Sequence, residues 1–256
     1  MAFLPPDIVL SALLSACGAA FAAGIIKGMV GFAMPMVMIS VLGSFLSPEL
    51  ALAGLILPTL ATNGFQALRE GPSAAGRAVR EFRVFLGVGM VALILGAQMV
   101  AVLPPRGLLL MIGGPILVFA ALQLGGWRPR PAARHRCAIE AGTGALAGFV
   151  GGMSGVWGPP TVMLLTALET PKEAQMRVQG VIYGLGAAVL TVAHIGSGIL
   201  TLRTALFSAC LVLPALAGMR VGFALSDRFD QATFRRATLA VLLVAALNLL
   251  RRAWMM

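Results

Sequence analysis

Acidic residues are nearly missing from this chain. Asp and Glu together number 9 among 256 residues, against 19 Lys and Arg. No carboxylate falls in the middle of an apolar run. Glu49, Glu140, Glu169 and Glu173 all stand at run ends. That pattern gives poor support to a proton- or sodium-driven carrier switched by a buried Asp or Glu. Charge of either sign is scarce, at 11%, where soluble domains carry about 25%. The three cysteines, Cys17, Cys137 and Cys210, have no metal-like spacing, and two lie inside apolar runs. A disulfide framework is therefore not expected. No Walker loop, HExxH, Ser-His-Asp set or CxxC pair is present. The sequence calls for no enzyme activity, no cofactor and no metal.

What the chain has is apolar residue, at 59%, with a mean hydropathy of +0.95. One water-facing globule cannot hide that much apolar surface, so the expected class is a polytopic membrane protein in a lipid bilayer. The net charge of +10 would point to nucleic acid if it were clustered. Here the basic residues sit in short loops between apolar runs, where membrane proteins keep them, and no nucleic acid partner is expected. Residues Met1 to Asp7 contain no basic residue ahead of the first run. That argues for an uncleaved first helix rather than a signal peptide.

Apolar runs fall at roughly 8–27, 33–46, 50–68, 84–103, 107–125, 138–152, 158–168, 178–199, 204–225 and 234–250. The expected fold is all-α, a membrane bundle of about ten segments. A spanning helix needs about 20 residues. Runs 33–46 and 158–168 are too short for that, and both follow a Gly-rich turn. They are read as short broken helices that either cross or re-enter. If all ten runs change sides, 14 Lys and Arg fall on one side and 4 on the other, with Arg220 inside a segment. If the two short runs dip and return, the split is 11 against 7. The positive-inside rule favours ten crossings with the basic side cytoplasmic.

The most specific feature is a repeat. Gly24-Ile25-Ile26-Lys27-Gly28-Met29-Val30-Gly31-Phe32-Ala33-Met34-Pro35 returns 124 positions later as Gly148-Phe149-Val150-Gly151-Gly152-Met153-Ser154-Gly155-Val156-Trp157-Gly158-Pro159. Five segments per half is odd, so the second half inserts upside down. The expectation is two inverted repeats, 1–125 and 138–256, joined by a basic cytoplasmic linker at 126–137. Broken helices in matching halves point to a transporter's binding site.

Gly-rich turns leave backbone N–H groups unshielded, and a helix starting there adds its positive dipole end. For Gly24 and Gly148 the expected role is close helix packing. For Gly28, Gly31, Pro35, Gly152, Gly155, Gly158 and Pro159 it is a ligand site. Polar residues inside apolar runs are costly and therefore candidates. Thr59, Asn63 and Gln66 share one helical face, and the matching run of the second half carries Gln179 and Tyr183. Interhelical hydrogen bonding is the competing reading. Lys27 could attract an anion or snorkel to the interface. His194 and Arg220 are read as interfacial, and Trp157 as either an interface anchor or a gate.

The two motifs together resemble the TauE/SafE sulfite-exporter family, also called the toluene-sulfonate uptake permease family. The resemblance rests on Gly24-x-x-x-Gly28-x-x-Gly31-Phe32-x-x-Pro35 and Gly148-x-x-x-Gly152-x-Ser154-Gly155-x-x-Gly158-Pro159-Pro160. It extends through Pro48-Glu49 and the Lys172-to-Arg177 loop. Family members commonly read Gly-Phe-Gly-Gly-Gly where this chain has Gly31-Phe32-Ala33-Met34-Pro35. The resemblance implies a bacterial inner-membrane transporter, commonly an exporter, of small sulfur-containing anions such as sulfite, thiosulfate or sulfoacetate. The expected binding set is Lys27, Gly28, Gly31, Phe32, Pro35, Asn63, Gln66, Gly152, Ser154, Gly155, Trp157, Gly158, Pro159, Gln179 and Tyr183. An anion channel and a non-transporting membrane scaffold are the rival readings, and a homo-oligomer stays open.

Overall fold

A computed structural model describes residues 8–99, 105–127, 135–154, 157–196 and 198–255. Regular structure among the described residues is entirely helical. In chain order the helices are α1 (Leu10–Val30), α2 (Met34–Leu42), α3 (Pro48–Leu68), α4 (Pro72–Glu81), α5 (Arg83–Met99) and α6 (Pro105–Leu124). They continue with α7 (Arg136–Ser154), α8 (Gly158–Ala167), α9 (Lys172–Gly196), α10 (Leu202–Ser226) and α11 (Gln231–Trp254). Five of them, α1, α3, α9, α10 and α11, are long and apolar enough to cross a membrane. Large aliphatic side chains stand exposed on these helices, including Leu14, Val192, Leu213 and Val244. A row of such groups has no cover in water and is covered in a bilayer.

The short apolar runs are short helices, 9 residues in α2 and 10 in α8. One break differs from the sequence expectation. The first helix runs on through Lys27 and Gly28 and stops at Gly31, whose φ of 86° closes it in the left-handed conformation. Glycine adopts that conformation without steric cost. Helix α4 falls where the sequence reading had only a loop. Its Ala74 and Ala78 are buried while Arg77 and Arg80 face outward, a helical period too short and too polar to register as an apolar run.

The chain forms two compact units, Met1–Ala75 with Gln179–Phe229, and Gly76–Val178 with Asp230–Met256. In the first unit α1 packs along α10, α10 along α3, and α2 lies against α1 and α3. Small residues make the α1–α10 contact. A Cβ on Gly24 would collide with the carbonyl of Ala215, and one on Gly28 with the carbonyl of Met219. Ala16, Ala20, Ala23, Met34, Met38, Leu42, Phe207 and Leu211 form the apolar core there.

Helix α3 carries Pro58 in its interior. Proline has no N–H to give the Gly54 carbonyl. Ser208 of α10 makes good the loss. Its hydroxyl donates to the Gly54 carbonyl at 3.2 Å and accepts from the Leu57 N–H at 3.1 Å. Membrane helices tolerate proline when a neighbouring hydroxyl satisfies the freed group in this way.

In the second unit α5 packs along α7, α6 along α11, and α8 against α7. Again glycine sets the contact. A Cβ on Gly148 would strike the carbonyl of Gly89, and one on Gly144 would lie 2.7 Å from that of Phe85. Arg136 joins Glu81 at 3.1 Å and Glu140 at 2.7 Å. Glu140, placed by the sequence at a run end, is buried within α7, and Arg136 compensates its charge.

Candidate functional site

The first Gly-rich turn is the centre of a buried polar cluster in the first unit. The last turn of α1 brings Lys27 to its edge. The side chain of Lys27 is buried, at 1% exposure, and its Nζ donates to Asn63 Oδ1 on α3. The ring of Tyr183 on α9 lies 5.9 Å from the same Nζ, at the outer reach of a cation–π contact. Lys27 therefore does not snorkel. Its four-carbon stem points into the unit because the α1 face that carries it is the one with Ala23 and Gly24, also buried. Among the described residues, no carboxylate lies at salt-bridge distance from this ammonium.

The turn itself is held by side-chain amides. Gln66 Nε2, one helical turn beyond Asn63, donates to the Gly31 carbonyl at 3.1 Å. The neighbouring acceptors require Gln179 Nε2 to face the turn, where it donates to the carbonyls of Val30 and Gly31 at 3.2 Å each. The Gly31 carbonyl thus uses both of its lone pairs. The Gly31 N–H is taken up by the Lys27 carbonyl at 2.6 Å. The turn offers carbonyls to Gln66 and Gln179, so at Gly31 the backbone is an acceptor rather than an anion donor.

Helix α9 reaches α3 closely because Gly180 has no side chain. A Cβ there would stand 2.5 Å from the Ala67 nitrogen and 2.9 Å from Gln66 Cγ. The close approach carries Gln179 and Tyr183 into the cluster. Gly180 was not a sequence candidate, yet its pairing with Gln179, repeated as Tyr183-Gly184, was there to be read. Thr62 was also missed. It is fully buried, and its hydroxyl donates to the Pro58 carbonyl at 2.7 Å and faces the Met34 sulfur at 3.7 Å. Its spacing from Thr59 and Gln66 puts it on the same face.

Beyond the turn, Phe32 is buried, Ala33 takes a left-handed φ of 75°, and Pro35 sits in the first turn of α2. No side chain caps α2 at its N-terminus, and Met34 at that end is fully buried. Gly28 faces α10 instead, as a packing position.

The second motif lies in the second unit and has a different lining. Trp157, at 8% exposure, is buried rather than set in an exposed belt. A Cβ on Gly151 would come within 2.6 Å of the Trp157 ring at Cε3, so the indole lies on the bare face of α7. Thr161 donates its hydroxyl to the Trp157 carbonyl at 2.9 Å. Pro159 is buried in the first turn of α8, Gly158 begins that helix, and Gly152 lies near the end of α7. The side chain of Ser154 and the whole of Gly155 lie outside the described residues. Of the other singled-out residues, Arg220 is exposed and stacks over Phe65 at 5.8 Å, and His194 stands in the last turn of α9.

The first cluster thus sets a buried ammonium, with no carboxylate at salt-bridge distance among the described residues, beside amides that hold the turn. No curated protein and no solved structure matches this chain. The family model described as sulfite exporter TauE/SafE matches residues 16–249. With more than nine-tenths of its length matched, the chain belongs to the TauE/SafE sulfite exporter family of integral membrane transporters.

Proposed function

We propose that this protein exports a small sulfur oxyanion or sulfonate across a bacterial inner membrane. The candidate cargoes are sulfite, thiosulfate and organosulfonates such as sulfoacetate. The observation that carries the reading is Lys27, a buried ammonium hydrogen-bonded to Asn63 with no carboxylate partner among the described residues. Taking an ammonium out of water costs several kcal/mol, and an opposite charge beside it offsets that. An anion arriving beside Lys27 supplies it. Lys27 brings three donors, and Asn63 takes one. The uncapped N-terminus of α2 adds its positive dipole end. Gln66 and Gln179 hold the turn in shape, and Tyr183 borders the ammonium.

Transport would proceed by alternating access of two inverted repeats, residues 1–125 and 138–256, joined by the basic segment 126–137. The helix boundaries support this. The offset of 124 that aligns the Gly motifs carries the end of α1 from Val30 to Ser154. It carries the start of α2 from Met34 to Gly158, and that of α3 from Pro48 to Lys172. The reading takes the ten helices other than α4 as the ten segments of the two repeats. Removing the buried Lys27 from the sidedness tally leaves 13 basic residues against 4 (14 less 1), so the basic loops are assigned to the cytoplasm. The inside-negative potential would push an anion outward with about 2.3 kcal/mol per charge per 100 mV.

The test is a thermal-shift screen of the purified protein against sulfite, thiosulfate, sulfoacetate, taurine, sulfate and chloride. A ligand specific to the native state stabilises by about 2.7 kcal/mol at roughly a hundredfold excess over Kd. The expected result is selective stabilisation by one sulfur anion, absent in Lys27→Met. If no sulfur anion stabilises the protein, or Lys27→Met responds as the parent does, the reading fails. In proteoliposomes, saturable flux accelerated by the same anion on the far side would mark a carrier and not a channel. Efflux indifferent to collapse of the potential at constant pH would remove the proposed driving force.

A further inference from the structure

The outer face of α4 carries charge that the fold leaves unpaired. In the second unit, the chain from Gly76 to Arg83 buries Ala78 and Phe82 and exposes Arg77, Val79, Arg80 and Arg83. The Phe82 N–H donates to the Ala78 carbonyl at 3.0 Å, and the Leu86 N–H to the Phe82 carbonyl at 2.9 Å. Helical register therefore carries on from α4 into α5. At that register Arg77, Arg80 and Arg83, three apart, form one stripe opposite the buried side. Arg136 of α7 holds the inner side in place. It joins Glu81 at 3.1 Å and Glu140 at 2.7 Å, and its guanidinium lies 5.5 Å from the centre of the Phe82 ring. Glu81, the one acid of α4, is thereby engaged. Arg80 Nε donates to the Gly76 carbonyl at 3.4 Å, a neutral partner. Among the described residues, no carboxylate lies at salt-bridge distance from Arg77, Arg80 or Arg83.

The helix that follows says what the stripe meets. Arg83 opens α5, and no residue from Val84 to Met99 is charged. Val91, Ile94 and Leu95 of α5 are more than half exposed, and such a face is covered in a bilayer. Val91 lies about 12 Å beyond Arg83, at roughly 1.5 Å of rise per residue. Half of a hydrocarbon core is about 15 Å, so the arginines stand at headgroup depth. Val79, exposed beside them, adds the apolar group of a helix that lies against a membrane surface. We propose that the Arg77, Arg80 and Arg83 face docks on anionic phospholipid headgroups where α5 enters the membrane. Guanidinium forks pair with phosphate oxygens. Each basic group near an anionic surface strengthens the contact about fivefold. The inference rests on α5 lying in the bilayer and is independent of the cargo and of Lys27.

The test places the full-length protein in nanodiscs of phosphatidylcholine with and without phosphatidylglycerol. Hydrogen exchange of residues 76–83 is then followed by mass spectrometry. One variant combines Arg77→Gln, Arg80→Gln and Arg83→Gln. Another combines Arg203→Gln, Arg251→Gln and Arg252→Gln, all exposed, and makes the same charge change elsewhere. The expected result is exchange slowed at least about fivefold by phosphatidylglycerol in the parent. The slowing fades in roughly 1 M salt. It is lost in the first variant and kept in the second. Where the first variant does not fold, Arg77→Gln alone is read in its place, with a smaller loss expected. Equal exchange in the two lipids overturns the proposal, and so does slowing that survives in the stripe variant. Slowing by soluble polyglutamate but not by phosphatidylglycerol overturns it too, and makes the occupant an acidic protein.

Discussion

The two Gly-rich turns share a grammar and differ in what surrounds them. The first is ringed by Lys27, Asn63, Gln66, Gln179 and Tyr183, all buried. At the second, where Gly155 and Val156 lie outside the described residues, Trp157 is laid on Gly151 of α7, and Pro159 and Pro160 are buried in α8. A broken helix leaves the backbone polar in both places. At the first break that polarity is met by side-chain amides and a cation. Around the second, an aromatic ring covers the glycine face. The comparison teaches that the repeated motif fixes where the helices stop, while the residues on neighbouring helices decide what chemistry stands there.

The sharpest way to break the comparison is Lys27→Met against Trp157→Ala. Losing a buried charge contact to a ligand costs about 2–5 kcal/mol, so Lys27→Met should weaken anion binding roughly thirtyfold or more. Its fold should be as stable as the parent's or more so, because an apolar isostere removes a buried ion. Calorimetric titration and a denaturation midpoint read the two effects separately. Trp157→Ala should do the reverse, costing about 3–5 kcal/mol of stability with little change in the Kd of the surviving fold. If Trp157→Ala weakens binding as much as Lys27→Met does, the two turns are not different in kind.

A smaller effect is expected at Gly151. A Cβ there meets the Trp157 ring, and overpacking of this sort costs about 1–3 kcal/mol. Gly151→Ala combined with Trp157→Leu should cost less than the two changes summed. Strict additivity in urea melts would mean that the ring does not rest on Gly151.

The smallest effects belong to the first turn's backbone. Gly31 and Ala33 both hold positive φ, at 86° and 75°. A side chain in that conformation costs about 1–2 kcal/mol. Gly31→Ala should lose about that much. Ala33→Gly should be neutral or gain up to about 1 kcal/mol, because relief of strain is partly offset by a looser unfolded chain. A thermal midpoint that falls on Ala33→Gly would contradict the strained conformation.

Much of this site was legible in the sequence. Thr59, Asn63 and Gln66 repeat at helical spacing, and their shared face is the buried one. Gln179 and Tyr183 were paired the same way. The fate of Lys27 was not legible, since the local sequence does not say whether a lysine near a helix end reaches water or turns inward to a partner on another helix. The stopping point of α1 was also hidden. Gly28 has the look of a breaker, but contact with α10 keeps it helical, and only Gly31 takes the left-handed turn.

By itself the sequence determined the membrane class, the short helices α2 and α8 after their Gly motifs, and which residues share a face. Those follow from apolar content, chain geometry and a period of 3.6 residues, all local properties. Only the tertiary structure decided that α9 comes close enough at Gly180 to bring Gln179 onto the first turn. It also decided that Lys27 finds Asn63, and that Trp157 folds over Gly151. A helix's own period says which residues lie together. It does not say which helix will lie opposite, because that is settled by contacts between segments far apart in the chain, such as Gly180 against Ala67 and Lys27 with Asn63.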